Sequence, residues 1–191
     1  MNSSSMAPVK LYLILAASFL LFVQSASATT VRVSTSLGDF SIELFDDITP
    51  ITVANFLSYV DSGFYYGTIF HRVISNFMIQ GGGFLPDMTE KENSDPIINA
   101  SKNRLHNTRG TLAIAPPNHP DSATPQFYIN LRSNLNLDWT PGREGYAVFG
   151  EVRQGMKVVD FIATADTGRV KGMGDVPQKA ILIKEIVRQQ P

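Results

Sequence analysis

The sequence predicts a mainly β domain, a sandwich or a barrel, with two helices among its strands. Three observations predict it. Short segments of alternating apolar and polar residues recur between residues 31 and 187, and alternation marks a half-buried strand. Only two stretches carry apolar residues at helical spacing. No internal repeat and no linker breaks the pattern after residue 28, so many short strands share one core.

Val31 and Val33 alternate with Arg32 and Ser34, and Phe40, Ile42 and Leu44 alternate with Ser41 and Glu43. With Ser36-Leu-Gly-Asp39 between them, these segments read as a hairpin with one apolar face. Thr49-Pro50 then offers a cap and a first helical position. Val53, Phe56, Leu57 and Val60 follow at helical spacing, and Gly63 ends that helix. Residues 70–80 read as two strands about a turn at Ser75-Asn76. From 84 to 109 polar residues dominate without periodicity, an unusually long connection for a compact domain. Strand patterns resume at 111–115, 127–131 and 146–152. A second helix is expected at 156–163, with Val158, Phe161 and Ile162 on one side, and a last strand at 180–187.

The 191 residues suffice for one domain with a proper core and a short appendage. In that appendage Lys10 precedes an apolar run at 11–23, followed by Gln24-Ser-Ala-Ser-Ala28. A positive residue, an apolar run and a small-x-small ending are the parts of a secretory signal peptide. Cleavage is expected after Ala28, leaving a domain of residues 29–191. A membrane anchor is the competing reading, but the run is short against the roughly 20 residues of a span. Removing residues 1–28 takes away one Lys and no acid, so the net charge moves from −1 to −2. No Lys/Arg block exists to follow a phosphate backbone, which argues against nucleic acid as partner.

There is no cysteine, which excludes disulfides, thiol catalysis and thiolate metal sites. His71, His106 and His119 lack metal-ligand spacing, so no metal is expected. No serine sits in a recognisable nucleophile turn. Gly81-Gly82-Gly83 lacks the Lys-Ser/Thr and helix of a phosphate loop and reads as a strand-ending turn. The run Phe70-His-Arg-Val-Ile-Ser-Asn-Phe-Met-Ile-Gln-Gly-Gly-Gly83 is different in kind. Alternation puts Arg72 and Ile74 on one face with Val73 on the other. Met78 and Gln80 share a face, and Phe77 and Ile79 the opposite one. An Arg and a Gln in such apolar company need a role, since neither is normally buried unpartnered.

This run closely resembles the signature of the cyclophilins, the peptidyl-prolyl cis/trans isomerases. Gly110-Thr-Leu-Ala-Ile-Ala115, Gln126-Phe-Tyr-Ile-Asn130 and Gly145-Tyr-Ala-Val-Phe-Gly150 are similar to three later motifs of that family, in the family's order. The resemblance extends from about Val31 to the C-terminus and is strongest to the bacterial periplasmic branch. It implies a closed antiparallel eight-stranded barrel with a helix over each open end, no cofactor and a monomer. It also implies isomerisation of Xaa-Pro bonds in unfolded or partly folded polypeptides, assisting the folding of exported proteins. A non-catalytic chaperone that grips proline segments is the alternative.

Rotation about an Xaa-Pro bond is slow because amide resonance opposes it, with a barrier of about 18–20 kcal/mol and times of tens to hundreds of seconds. A catalyst need only bind the twisted amide better than either planar form. The twisted proline nitrogen regains a lone pair, and Arg72, a permanently charged donor, is the candidate to meet it. By resemblance, Phe77, Met78 and Leu137 wall the proline pocket and Tyr128 lies at its floor, where the family usually has Phe. Gln80 holds the substrate carbonyl, Gln126 is another site position, Ala115 lines the groove, Tyr146 stands at the rim, and His71 supports. Taken singly, Phe77, Met78, Phe127 and Leu137 would read as core, and Arg72 as a surface arginine. Four positions depart from the family. Asn136 replaces the usual Trp or Phe, which implies weak binding of cyclosporin-like ligands. Pro116 lacks an N–H where the family backbone meets substrate. Pro125 stands where Ser is commoner, and the Tyr128 hydroxyl requires a partner if buried.

Overall fold

The computed structural model describes residues 28–92, 100–114 and 125–190. Residues 1–27 of the expected signal segment, together with Ala115, Pro116 and His119, lie outside them. Strands β1 (Thr30–Thr35) and β2 (Gly38–Leu44) form the expected hairpin, followed by helix α1 (Pro50–Asp61), β3 (Phe70–Ile74) and β4 (Met78–Gly81). Next come β5 (Thr111–Ile114), β6 (Phe127–Asn130), β7 (Ala147–Gln154) and helix α2 (Met156–Ile162). The chain then forms β8 (Thr167–Val170), β9 (Met173–Pro177) and β10 (Ile183–Arg188).

Eight strands form one antiparallel sheet in the order β10-β1-β2-β7-β5-β6-β4-β3, and β8 and β9 form a separate hairpin. The sheet curls into a barrel that is less closed than expected. Its edges β3 and β10 share no ladder. The gap is spanned by the Ile69–Leu182 bridge and by backbone bonds from Phe70 N to Ile181 O (3.0 Å) and from Ile183 N to Thr68 O (2.7 Å). Strand β9 lies beside β3 instead.

One face of the sheet encloses the core. Val31, Val33, Phe40, Ile42, Phe70, Val73, Ile79, Leu112, Phe127, Ile129 and Phe149 meet there, alternating with residues of the other face as the pleat requires. The Phe127 ring makes edge-on contacts with Phe56, Tyr65 and Phe70 at 5.8, 5.6 and 6.1 Å, a favoured aromatic geometry. Both helices add to this core, α1 through Val53, Phe56, Leu57, Tyr59 and Val60, α2 through Val159 and Ile162.

Three local expectations need correction. Thr49 precedes α1, but its hydroxyl donates back to Phe45 O (3.1 Å) and does not cap the helix. In α2 the buried face is Val159 and Ile162, while Phe161 is 59% exposed. Two helical turns are too short for periodicity to settle which side packs. The β8–β9 hairpin was not foreseen, because its strands are short, polar and glycine-containing and do not alternate.

Thr29, just before β1, is tied down. Thr29 N donates to Asp46 Oδ2 (2.8 Å) and its hydroxyl to Asp46 Oδ1 (3.0 Å), while Leu44 N donates to Thr29 O (2.8 Å).

Candidate active site

A bulge in β3 decides where Arg72 points. In a regular strand Phe70 and Arg72, two residues apart, would share a face. Phe70 pairs with Gly81 and Arg72 with the adjacent Gln80, so His71 is an extra residue on β3. Such a bulge re-aims the side chains that follow. Phe70 enters the core, and Arg72 emerges on the outside of the barrel.

From Arg72 a row of paired residues crosses five strands. Arg72 pairs with Gln80, Gln80 with Tyr128, Tyr128 with Ala113, and Ala113 with Val148. Neighbouring strands lie about 4.8 Å apart, so Arg72 stands roughly 10 Å from the Tyr128 backbone. On this outer face Met78, Ala113, Tyr128 and Val148 form a buried apolar floor, with Ile74, Phe77, Leu137 and Tyr146 packed round it. Sequence alternation assigned Phe77 to the face of Ile79. It lies instead in the turn before β4 and joins Met78, because pleat alternation does not extend into a turn.

Polar groups frame the floor. Gln80 Nε2 donates to Gln126 Oε1 (3.1 Å), and Gln126 Nε2 donates to Glu90 Oε1 (3.3 Å). Gly83 permits this arrangement, since a Cβ there would lie 2.4 Å from Gln126 Cγ. Arg72, with 42% of its side chain exposed, places Nε 3.6 Å from Asp175 Oδ2. Leu137 closes a 3₁₀ turn, its carbonyl accepts from Tyr146 N (2.8 Å), and the Tyr146 ring meets Tyr128 edge-on at 5.5 Å. Asn136 is exposed and supplies no wall.

The buried Tyr128 hydroxyl has its partner. It donates to Asn107 Oδ1 (2.6 Å), which also accepts from Asn130 Nδ2 (3.2 Å). Burial raises the Tyr128 pKa, with smaller contributions from Tyr146 and Asp138, so the phenol stays protonated and serves as donor. Asn107 is itself held by Asp138 Oδ1, which accepts from its backbone N (2.8 Å) and side-chain Nδ2 (2.9 Å). Burial alone would raise the Asp138 pKa, but these donors and His106 hold it below the ordinary value. Asn107, Asp138, Glu90 and Asp175 were missed from sequence. The one available hint was the hydroxyl of Tyr128.

His71 stands behind the face. It is 2% exposed, its ring packs on Phe84 at 4.6 Å, and Nδ1 has no partner among the described residues. Burial, then the neighbouring Arg72 charge, pushes its pKa from 6.5 down to about 4. The unfolded chain therefore binds the extra proton between pH 6.5 and 4, and stability falls as pH drops through that window. The full difference is about 3 kcal/mol. Urea unfolding at pH 7 and pH 4.5 should show most of this loss, and His71→Gln should flatten it. Equal slopes in the two proteins would show that His71 is not the group responsible. The carboxylates held low, Asp61 by Arg188 and Asp138 by Asn107, lose their contribution only as pH falls below about 3.8.

The structure thus brings together Arg72, Phe77, Met78, Gln80, Gln126, Tyr128, Leu137 and Tyr146, and leaves His71 beneath them. A hollow of about 340 Å³ between α1 and Arg188 contains none of these residues.

Comparison with known proteins agrees with the geometry. Peptidyl-prolyl cis-trans isomerase B of Escherichia coli K12 is 49% identical over 160 residues, covering 82% of this chain and 97% of its own. A peptidyl-prolyl cis-trans isomerase of Acinetobacter baylyi is 49% identical over 164 residues, covering 86% and 87%. The crystal structure of a Cryptosporidium parvum cyclophilin type peptidyl-prolyl cis-trans isomerase, determined in the presence of the dipeptide Ala-Pro, superposes with a TM-score of 0.69. It is 30% identical and covers 85% of this chain and 99% of its own. With the family model matched across residues 30–188 as well, the chain belongs to the cyclophilin type peptidyl-prolyl cis-trans isomerases.

Proposed function

We propose that this peptidyl-prolyl cis-trans isomerase acts on exported polypeptides, and that Arg72 is the donor that stabilises the twisted amide. One observation carries the reading: the register sets a permanent cation at the end of a row whose middle is an apolar floor. A proline ring fits such a floor, and a polypeptide laid along the row brings its Xaa-Pro nitrogen towards the guanidinium. Gln80, steadied by Gln126, is placed to hold the substrate carbonyl. Met78, Phe77 and Leu137 supply the walls, Tyr128 the floor and Tyr146 the rim, with Ala115 assigned to the groove by resemblance. No covalent step and no proton transfer are needed, because the donor acts only on the lone pair that the twisted nitrogen regains.

Export rests on the segment Lys10 to Ala28 and on the anchoring of Thr29. Cleavage after Ala28 would free an ammonium at the atom that already faces the Asp46 carboxylate, so the domain would gain a charge pair there. The periplasm is the address we assign, and folding assistance there the role. The exposed Asn136 and the prolines at 116 and 117 favour a second reading, a binder of proline segments without turnover.

NMR exchange on a proline tetrapeptide separates the two. Isomerisation should far exceed the uncatalysed rate. Binding at the uncatalysed rate would leave only the binder. N-terminal sequencing of the native protein should read Thr29 first, and a Met1 or Met6 start in a cytoplasmic fraction would refute export.

A further inference from the structure

The contact between Arg72 and Asp175 has little to do with stability. Both side chains are nearly half exposed, 42% and 46%, and the Nε to Oδ2 distance of 3.6 Å is longer than a hydrogen bond. Exposed pairs of this kind contribute little to folding. Yet the backbone beneath it has an uncommon conformation. Asp175 has a φ of 61°, in the left-handed region that residues other than glycine seldom occupy. A strained residue facing a catalytic group is a candidate for function.

The mounting of Asp175 points the same way. It sits on β9, immediately before Val176, which is 4% exposed and packs with Ile69 and Met88 under the start of β3. The β8–β9 hairpin thus rests on the strand that carries Arg72 and reaches its guanidinium from outside the ladder.

We infer that Asp175 is a positioning residue for Arg72, its carboxylate drawing Nε to one side and leaving the terminal amino groups to face the substrate. The inference rests on the assignment of Arg72 as donor. A catalytic contact that is long in the free enzyme commonly tightens when substrate arrives. Held this way, the guanidinium meets the proline nitrogen in one orientation and does not sweep through its rotamers.

Asp175→Asn tests it, because asparagine tolerates the same φ. We expect kcat to fall about 3- to 10-fold with KM within about twofold, between the effect of an exposed ion pair and that of a misplaced donor. The Arg72 Nε–Hε NMR signal should shift and exchange faster. Asp175→Gly relaxes the backbone and removes the carboxylate, so an equal loss there assigns the effect to charge and not strain. In an Arg72→Ala background, assayed at high enzyme concentration, Asp175→Asn should change nothing further. Full kcat in both Asp175 variants overturns the inference, as does an equal loss with and without Arg72. Full activity in Arg72→Ala itself would overturn the donor assignment too, which separates the two failures.

Discussion

Replacing Arg72 by alanine should lower kcat/KM for a proline peptide by about 10²–10³-fold, the range seen when one preorganised donor is removed from a transition-state site. The loss should fall mainly on kcat. The planar amide offers the guanidinium no nitrogen lone pair, and the twisted amide does, so the contact belongs to the transition state and not to substrate binding. Stability should change little, since Arg72 is half exposed and its ion pair with Asp175 is long. Arg72→Lys tests geometry apart from charge. The compact ammonium keeps the cation but loses the fork, and it should recover only part of the rate. Exchange spectroscopy on a tetrapeptide measures both variants. An Arg72→Ala enzyme with wild-type kcat would remove Arg72 from the mechanism.

Asn107→Ala should be the most damaging substitution outside the substrate face. Asn107 is fully buried and its side chain joins four groups: the Tyr128 hydroxyl, the Asn130 amide, the Asp138 carboxylate and the Tyr146 carbonyl (3.3 Å). Alanine leaves the Tyr128 hydroxyl buried without its acceptor and takes a donor from Asp138. Two such losses give about 3 kcal/mol, or a Tm lower by roughly 6–12 °C for a domain of this size. KM should rise several-fold as the Tyr128 ring, no longer held by its hydroxyl, shifts under the proline pocket. Tyr128→Phe isolates one bond. Asn130 Nδ2 still serves Asn107 Oδ1, so the loss should be about 1 kcal/mol. Thermal melts compare the two variants. An Asn107→Ala protein that melts within about 2 °C of wild type would mean that relaxation or water replaces the network.

What could be read from the sequence follows from how far each signal reaches. Period-two alternation belongs to the strand itself, so Val73 was set opposite Arg72 and Ile74, and Ile79 opposite Met78 and Gln80, before any partner strand was known. Alternation fails where backbone geometry departs from a strand. The turn put Phe77 on the Met78 side, and no periodicity announces the extra residue His71. The motif resemblance supplied what local patterns could not, namely that Gln126, Tyr128, Leu137 and Tyr146, far along the chain, belong with Arg72 to one site. It did not supply the supports. Asn107 lies in a polar stretch without periodicity, and Asp175 in a hairpin too short and too polar to read. Both act through partners remote in sequence, Tyr128 and Arg72, which only the folded chain brings near.

The cross-strand row also bears on how such a protein can change. Along β4, β5 and β6 neighbouring residues answer to different demands: Ile79, Leu112 and Ile129 fill the interior, while Gln80, Ala113 and Tyr128 belong to the outer row over which we place the substrate. The two sets interleave in the chain yet seldom touch. Substrate preference can therefore drift by single substitutions on one set while the other keeps the barrel intact, and a designer could rewrite the groove without re-solving the core.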